Sequence, residues 1–280
     1  MALTAASAAN AQTGTSTVAS ETAAASAPAA GSQVQCVAKE ESGDALAAKM
    51  AKDIDAKLAG RVSSVGLYEN DSKTGITCQY HATWHFYAAS AIKVTILAAL
   101  LRMAQEQDRP LTSTEKSLAW EMITESDNDA ATALWNEVGI PGIQHLLNLV
   151  RMRQTKLSDA WGLTLLTAHD EWLLLHTLSV QNKVLDMASR VYARYLMAHV
   201  ISGQRWGVSA GAPRGVIVHI KNGWLNYPSD TDWIINSLGI FTATHRVYTI
   251  VVLTHDNPSE GYGIDTIEDA AEAINHDLSS

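Results

Sequence analysis

Ser90 and Lys93 stand three residues apart in an apolar run, residues 86–101. On a helix this spacing puts both side chains on one face, with Cβ atoms about 5 to 6 Å apart, so the lysine amine can reach the serine hydroxyl. Burial lowers the pKa of a lysine, and only the neutral amine can accept the hydroxyl proton. The pair predicts a serine nucleophile. A tolerated serine beside a lysine that reaches solvent would give the same pattern.

A second Ser-x-x-Lys pattern, Ser113 to Lys116, serves as a comparison because it lies in a polar segment after Pro110. There Ser113 or Thr112 is expected to cap a helix, and Lys116 is expected to be solvated. The apolar setting therefore favours Ser90 as the nucleophile.

Two further polar motifs follow along the chain. Ser126-Asp127-Asn128 falls between two helical runs, and Lys221-Asn222-Gly223 ends a β-run. Taken singly, the first is an ordinary helix N-cap and the second a solvated strand end. Together with Ser90 to Lys93, they form an ordered set of three motifs on a helix, a helix junction and a strand.

This ordered set resembles the Ser-x-x-Lys, Ser-Asp-Asn and Lys-Thr-Gly motifs of penicillin-binding proteins and class A β-lactamases. The similarity extends to the segments 62–93 and 123–134 and covers residues 42–278. The resemblance implies an α/β (α+β) fold of the β-lactamase/transpeptidase kind and a substrate that is a β-lactam or an acyl-D-Ala-D-Ala-like molecule. The ten histidines show no metal-ligand spacing, so no metal is expected, and no cofactor is expected either.

The resemblance also implies a role for each motif residue. Ser90 would be the nucleophile and Lys93 the general base. Ser126 would relay a proton, and Lys221 would be the cation of the site. The oxyanion hole would consist of the backbone N–H groups of Ser90 and Trp224, and the substrate-binding residues would be Asn128, Asn222 and Gly223.

The chain departs from the family where class A enzymes carry a Glu-x-x-Leu-Asn loop for hydrolysis of the acyl-enzyme. In the corresponding segment, residues 154–164, the only carboxylate is Asp159, a candidate deacylation base. Asp170 and Glu171 follow a capping pattern at Thr167 and are expected to be helix-start acids. Asn222 replaces the usual threonine, and Trp224 stands where a small hydroxyl residue is common.

These departures favour acyl-enzyme formation over its hydrolysis and leave several functions open. The chain could be a slow β-lactamase, a D-Ala-D-Ala carboxypeptidase, an esterase or an acyltransferase. A function of another class is a binding protein that captures a β-lactam or a peptidoglycan fragment without turnover.

The elements that must position these residues suggest a five-stranded antiparallel sheet flanked by terminal helices, with an inserted all-helical domain. Helices are predicted at 42–60 and 263–278, and the middle, 88–178, has a helical pattern. Strands are predicted at 62–69, 76–82, 216–224, 232–242 and 248–256. The sheet domain would comprise 41–86 and 205–280, the helical domain 87–204, and the site a cleft between them.

Composition excludes some functions. The net charge of −9 and a pI of about 5.5 argue against nucleic-acid binding. No apolar run reaches the length of a membrane span, and we expect a soluble monomer. Residues 1–40 are rich in Ala, Ser and Thr and are expected to be a disordered tail or signal remnant. The protein is expected to be secreted into the extracellular space, with a signal that is trimmed or atypical.

The only two cysteines, Cys36 and Cys78, suggest one bridge in an exported protein. Two free buried thiols are the alternative.

Overall fold

A computed structural model describes residues 34–226 and 232–279. The tail and signal remnant expected at residues 1–33 lie outside the described residues. The strands are β1 (Gln35–Ala38), β2 (Ser64–Asp71), β3 (Ile76–Tyr80), β4 (Phe86–Tyr87), β5 (Leu165–Leu166), β6 (Ile217–Asn226), β7 (Trp233–Ala243) and β8 (Arg246–Asn257). The α-helices are α1 (Asp44–Leu58), α2 (Lys93–Glu106), α3 (Ser113–Trp120), α4 (Asn128–Val150), α5 (Ala168–Ser179), α6 (Met187–Ala198) and α7 (Glu260–Ser279).

The main sheet is antiparallel, with strand order β1-β3-β2-β8-β7-β6. Its mixed α/β architecture confirms the predicted fold class, but the sheet has six strands where five were predicted. The additional edge strand β1 lies inside the segment expected to be a disordered tail, so that expectation is wrong for residues 35–38. Cys36 lies directly opposite Cys78 in the β1–β3 register, and the two form the predicted disulfide.

Strands β2 and β3 form an antiparallel hairpin that is closed by a short polar turn. The Asp71 carboxylate accepts hydrogen bonds from the backbone N–H and the hydroxyl of Thr74. Gly75 has a φ of 69°, a left-handed conformation that glycine adopts without steric cost. These local bonds stabilise the turn that connects the two predicted strands.

Helices cover both faces of the sheet. Tyr68 of β2 lies opposite Val251, three residues along β8 from Tyr248, so the two tyrosines point to opposite faces. Tyr68 stacks on Trp172 of α5, while the Tyr248 hydroxyl donates to Asn275 of α7. Helices α5 and α7 therefore pack on opposite sides, and α1 packs against α7.

The helical segments pack around α2, which is buried along most of its length and contacts α4 and α6. Helix α4 is interrupted at Gly139, where the backbone leaves helical geometry two residues before Pro141. The division into a sheet domain (41–86 and 205–280) and a helical domain (87–204) stays a prediction. No helix in residues 34–226 and 232–279 is both long and apolar enough to cross a membrane.

Candidate active site

Ser90 lies in a short 3-10 turn, Ala89–Ile92, that leads directly into α2. Its neighbours Ala89, Ala91 and Ile92 are buried, whereas Ser90 is half-buried. Ala89 has a φ of 45°, a left-handed conformation that costs a non-glycine residue about 1–2 kcal/mol. Surrounding contacts must stabilise this turn; one is the hydrogen bond from the Ala88 N–H to the Thr164 carbonyl.

Lys93, one turn after Ser90, has no exposed surface. Its amine donates to the Ser126 carbonyl at 2.7 Å, the Ser126 hydroxyl at 3.2 Å and Asn128 Oδ1 at 2.7 Å. Burial lowers the pKa of Lys93 to about 8, although the negative charge of Asp127 opposes that shift. A substantial neutral fraction is therefore present near neutral pH, as a general base requires.

Ser126 is positioned by backbone geometry. It has a φ of 60°, at the junction between the π-helical turn Glu121–Glu125 and α4. The next residue, Asp127, caps α4 by accepting from the Ala130 N–H. The left-handed residue presents both its carbonyl and its hydroxyl to the Lys93 amine.

Lys221 of β6 approaches the same hydroxyl. Its amine lies 2.9 Å from Ser126 Oγ and 3.0 Å from the carbonyl of Asn222. The side chain is completely buried, and both burial and the nearby charge of Lys93 lower its pKa well below the usual range. Ser126 Oγ thus sits between two buried amines that cannot both be charged without a large free-energy cost.

Gly223, two residues along β6 from Lys221, faces the nucleophile turn. A Cβ at this position would lie 2.8 Å from the backbone nitrogen of Ser90 and 2.7 Å from that of Ala91. Glycine is therefore needed for β6 to pass the turn, which brings the Trp224 backbone into the neighbourhood of Ser90. This proximity is what an oxyanion hole built from the two N–H groups requires.

The prediction that Asn222 contributes its side chain to the substrate site is not supported by the geometry. Residues alternate between the faces of a strand, so Asn222 points away from the side shared by Lys221 and Gly223. Its amide donates to the carbonyls of Gln204 and Trp206, and its oxygen accepts from the Ser237 hydroxyl. Asn222 thus anchors β6 to the preceding segment.

Asn236 is a positioning residue that sequence reasoning missed. This buried side chain on β7 donates to the carbonyls of Tyr87 and Ala88, immediately before the nucleophile turn. The available signal was a single amide within the apolar run of β7. It ties the sheet to the segment that carries Ser90.

A cavity of about 300 Å³ opens beside Ser90. It is lined by Ala89, Ser90, Asn128, Ala160, Trp161, Gly162, Leu163, Trp224 and Leu225. The centre of the Trp161 ring lies 5.0 Å from the Lys93 amine, within the range of a cation–π contact when the amine is charged. Within the part of the chain that the structure describes, the lining contains no carboxylate.

The acidic residues near this part of the chain, Asp159, Asp170 and Glu171, lie outside the cavity beside Ser90. Asp159 is exposed and does not line this cavity. Asp170 is buried and accepts from the backbone N–H groups of Gln154 and Thr155, while Thr167 caps α5 as its sequence pattern predicted. The carboxylate oxygens of Glu171 are buried with no hydrogen-bond partner among the described residues.

The second Ser-x-x-Lys pattern has the structural role expected of it. Thr112 and Glu115 form a capping box at the start of α3, and both Ser113 and Lys116 are exposed. The structure thus brings the amines of Lys93 and Lys221 to the Ser126 hydroxyl, and Asn128 to the Lys93 amine. Ser90 and Asn128 line the adjoining cavity.

Comparison with known proteins places this geometry in a family context. A family model described as "Beta-lactamase enzyme family" matches residues 49–116 and 105–278. A class A β-lactamase from Bacteroides cellulosilyticus has a similar structure, with a TM-score of 0.72, 16% identity and coverage of 83% of this chain and 98% of that one. A β-lactamase from Streptosporangium roseum is also similar, with a TM-score of 0.69 and 19% identity. That match covers 83% of this chain and 99% of the other.

PBP-A is another similar structure, with a TM-score of 0.71, 17% identity and coverage of 82% of this chain and 96% of that one. No curated protein matches the chain significantly. At these identities, the structural similarities show the fold.

Proposed function

The chain belongs to the β-lactamase enzyme family, and we propose that it is a serine hydrolase that forms an acyl-enzyme at Ser90. The observation that carries the proposal is the placement of Ser126 Oγ between the buried amines of Lys93 and Lys221. This arrangement offers a short path for a proton between the two amines and the Ser126 hydroxyl, next to the cavity that Ser90 lines. β-Lactams are the substrates that the family suggests.

In the acylation step, Ser90 Oγ bonds to the acyl carbon while the bond from that carbon to the leaving nitrogen breaks. Lys93, when neutral, takes the hydroxyl proton of Ser90. The Ser126 hydroxyl gives its proton to the leaving nitrogen and regains one from the amines beside it. The negative oxygen of the tetrahedral intermediate is stabilised by the N–H groups of Ser90 and Trp224.

We expect hydrolysis of the acyl-enzyme to be slow. A water molecule must be held by a base within hydrogen-bond reach of the acyl carbon, and the described cavity lining offers no carboxylate. The three donors of a charged Lys93 are already directed at Ser126 and Asn128, and Trp161 lies over its amine. Asp159 would serve as the base only if its exposed segment moved towards Ser90.

Slow hydrolysis is compatible with three related activities: those of a D-Ala-D-Ala carboxypeptidase, an esterase and an acyltransferase. A protein that binds β-lactam or a peptidoglycan fragment without turnover is the candidate of another class. A mutant of PBP-A has been solved as an acyl-enzyme complex with penicillin G. A stable adduct is therefore one of the outcomes that we test for. Extracellular secretion is part of this proposal, and the Cys36–Cys78 disulfide is compatible with it.

The test follows the intact mass of the protein with time after mixing with penicillins and cephalosporins, together with hydrolysis measured by absorbance. We expect an adduct that forms on wild type and is absent from Ser90→Ala. Ser113→Ala is the matched control, because it removes the exposed serine of the second Ser-x-x-Lys pattern and should acylate normally.

Each outcome is informative. Rapid turnover would identify a β-lactamase and refute slow deacylation, whereas a persistent adduct would support a peptidase, transferase or binding protein. Equal acylation of Ser90→Ala and wild type would refute the proposed nucleophile.

A further inference from the structure

The wall of the cavity beside Ser90 is apolar over most of its surface. Trp161 and Leu163 line it together with Trp224 and Leu225 of β6. All four side chains are half-buried, so they keep apolar surface that a ligand could cover. Such uncovered surface contributes binding free energy when an apolar group displaces the water on it.

The two tryptophans are held in place. The Trp161 indole N–H donates to Thr132 Oγ1 at 3.2 Å. Trp224 makes an edge-to-face contact with Trp206, with ring centres 5.9 Å apart. A pocket whose walls are fixed before binding loses little side-chain entropy when it is filled.

Polar recognition within the cavity is limited. Ser90 and Asn128 are the polar side chains of its described lining, and Asn128 Oδ1 already accepts from Lys93. No lysine or arginine is found among those lining residues, and the Lys221 amine is committed to Ser126 and to the Asn222 carbonyl. A charged acyl group would therefore lose its hydration without gaining a partner.

We infer that the cavity selects acyl donors whose acyl group is a medium-length alkyl or an aryl-alkyl chain, and that Trp161 is the residue that sets this preference. The inference rests on the proposed acyl-enzyme at Ser90. For an ester, Ser90 Oγ bonds to the acyl carbon, the ester C–O bond breaks, and the alcohol leaves with the proton that Ser90 gave up. Water then releases the carboxylic acid and restores Ser90.

The test compares nitrophenyl esters of acetate, butyrate, hexanoate and phenylacetate, with the monoester of succinate as a charged donor of similar length to butyrate. The release of nitrophenol gives kcat/KM, and intact mass shows the acyl group on the protein. We expect kcat/KM to rise about fourfold for each methylene buried, and succinate to fall below butyrate.

Three variants locate the preference. Trp161→Ala should reduce the rise to less than about twofold per methylene, mainly through KM, because the wall that the chain would cover is gone. Trp161→Phe should retain most of the rise, which separates loss of the wall from a general disturbance of the fold. Trp120→Ala is the matched control, since this exposed tryptophan contacts Tyr195 and His199 and does not line the cavity.

Failure of this inference can be told apart from failure of the proposed function. Acylation at Ser90 with equal kcat/KM for all the esters, or an unchanged rise in Trp161→Ala, would overturn the inference alone. No adduct with any ester or β-lactam would overturn both.

Discussion

The hydroxyl oxygen of Ser126 lies 3.2 Å from the amine of Lys93 and 2.9 Å from that of Lys221. Burial lowers the pKa of both amines, and the nearby charge of Lys93 lowers the pKa of Lys221 further. In the proposed mechanism, the two amines together hold the proton that acylation must move.

The acylation rate should rise with pH. Since burial lowers the pKa of Lys93 to about 8, the neutral amine becomes the main form only above that pH. Below it, the rate should fall by about tenfold per pH unit, and above it the rate should level off. Stopped-flow acylation between pH 5 and about 9.5 measures this profile. A rate that decreased as the pH rose through 8 would show that a charged amine is required instead.

Gly223→Ala should impair acylation much more than folding. The added Cβ would meet the backbone nitrogens of Ser90 and Ala91, so β6 must move away from the nucleophile turn. Loss of one oxyanion donor commonly costs about 100- to 1,000-fold in rate. Gly203→Ala is the control, since a Cβ there would meet no atom within 4 Å. Near-normal acylation by Gly223→Ala would contradict the assigned oxyanion hole.

Glu171→Gln should remove part of the pH dependence of stability. Burial, with a smaller effect of Asp170, raises the pKa of Glu171 from its usual value of 4.5 to about 8. The folded state therefore binds more protons than the unfolded state between these values, so its stability falls as the pH rises through them. The slope is at most about 1.4 kcal/mol per pH unit. Urea unfolding at pH 5 and pH 8 should show that the free energy of unfolding of the variant, relative to that of wild type, is higher at pH 8 than at pH 5. An identical pH dependence in the two proteins would contradict this account.

Reduction of the Cys36–Cys78 disulfide should lower the free energy of unfolding by about 3 to 4 kcal/mol, because the bridge restricts a long loop in the unfolded chain. Urea unfolding with and without a reductant measures the change. The double variant Cys36→Ser, Cys78→Ser is the control and should be insensitive to the reductant. Equal stability of oxidised and reduced wild type would mean that the bridge adds nothing.

Much of the site could be predicted because its residues lie in compact motifs. Lys93, Ser126 and Lys221 are recognisable from their neighbours, and strand and helix periodicity supplied the sheet and the terminal helices. Alternation along a strand separates Asn222 from Lys221 and Gly223, and its side chain bonds to the segment behind β6. Assigning it to the substrate site followed the family motif rather than the strand geometry.

Other features depend on contacts between distant segments. Trp161 reaches Lys93 only because the 3-10 turn Trp161–Leu163 packs against the turn that bears Ser90. Asn236 likewise acts on a segment roughly 150 residues earlier in the chain. Strand β1 has four residues and no apolar alternation, so its pairing with β3 could not be read from its own sequence.

Strand β1 also determines which backbone groups stand at one edge of the sheet. It occupies the edge of the sheet that β3 would otherwise present, and an uncovered edge exposes backbone groups on which another chain can add a strand. The covalent link to Cys78 keeps this short strand from leaving, even though four residues of pairing would hold it only weakly. With the two cysteines reduced, only backbone pairing and side-chain packing would hold β1 at this edge of the sheet.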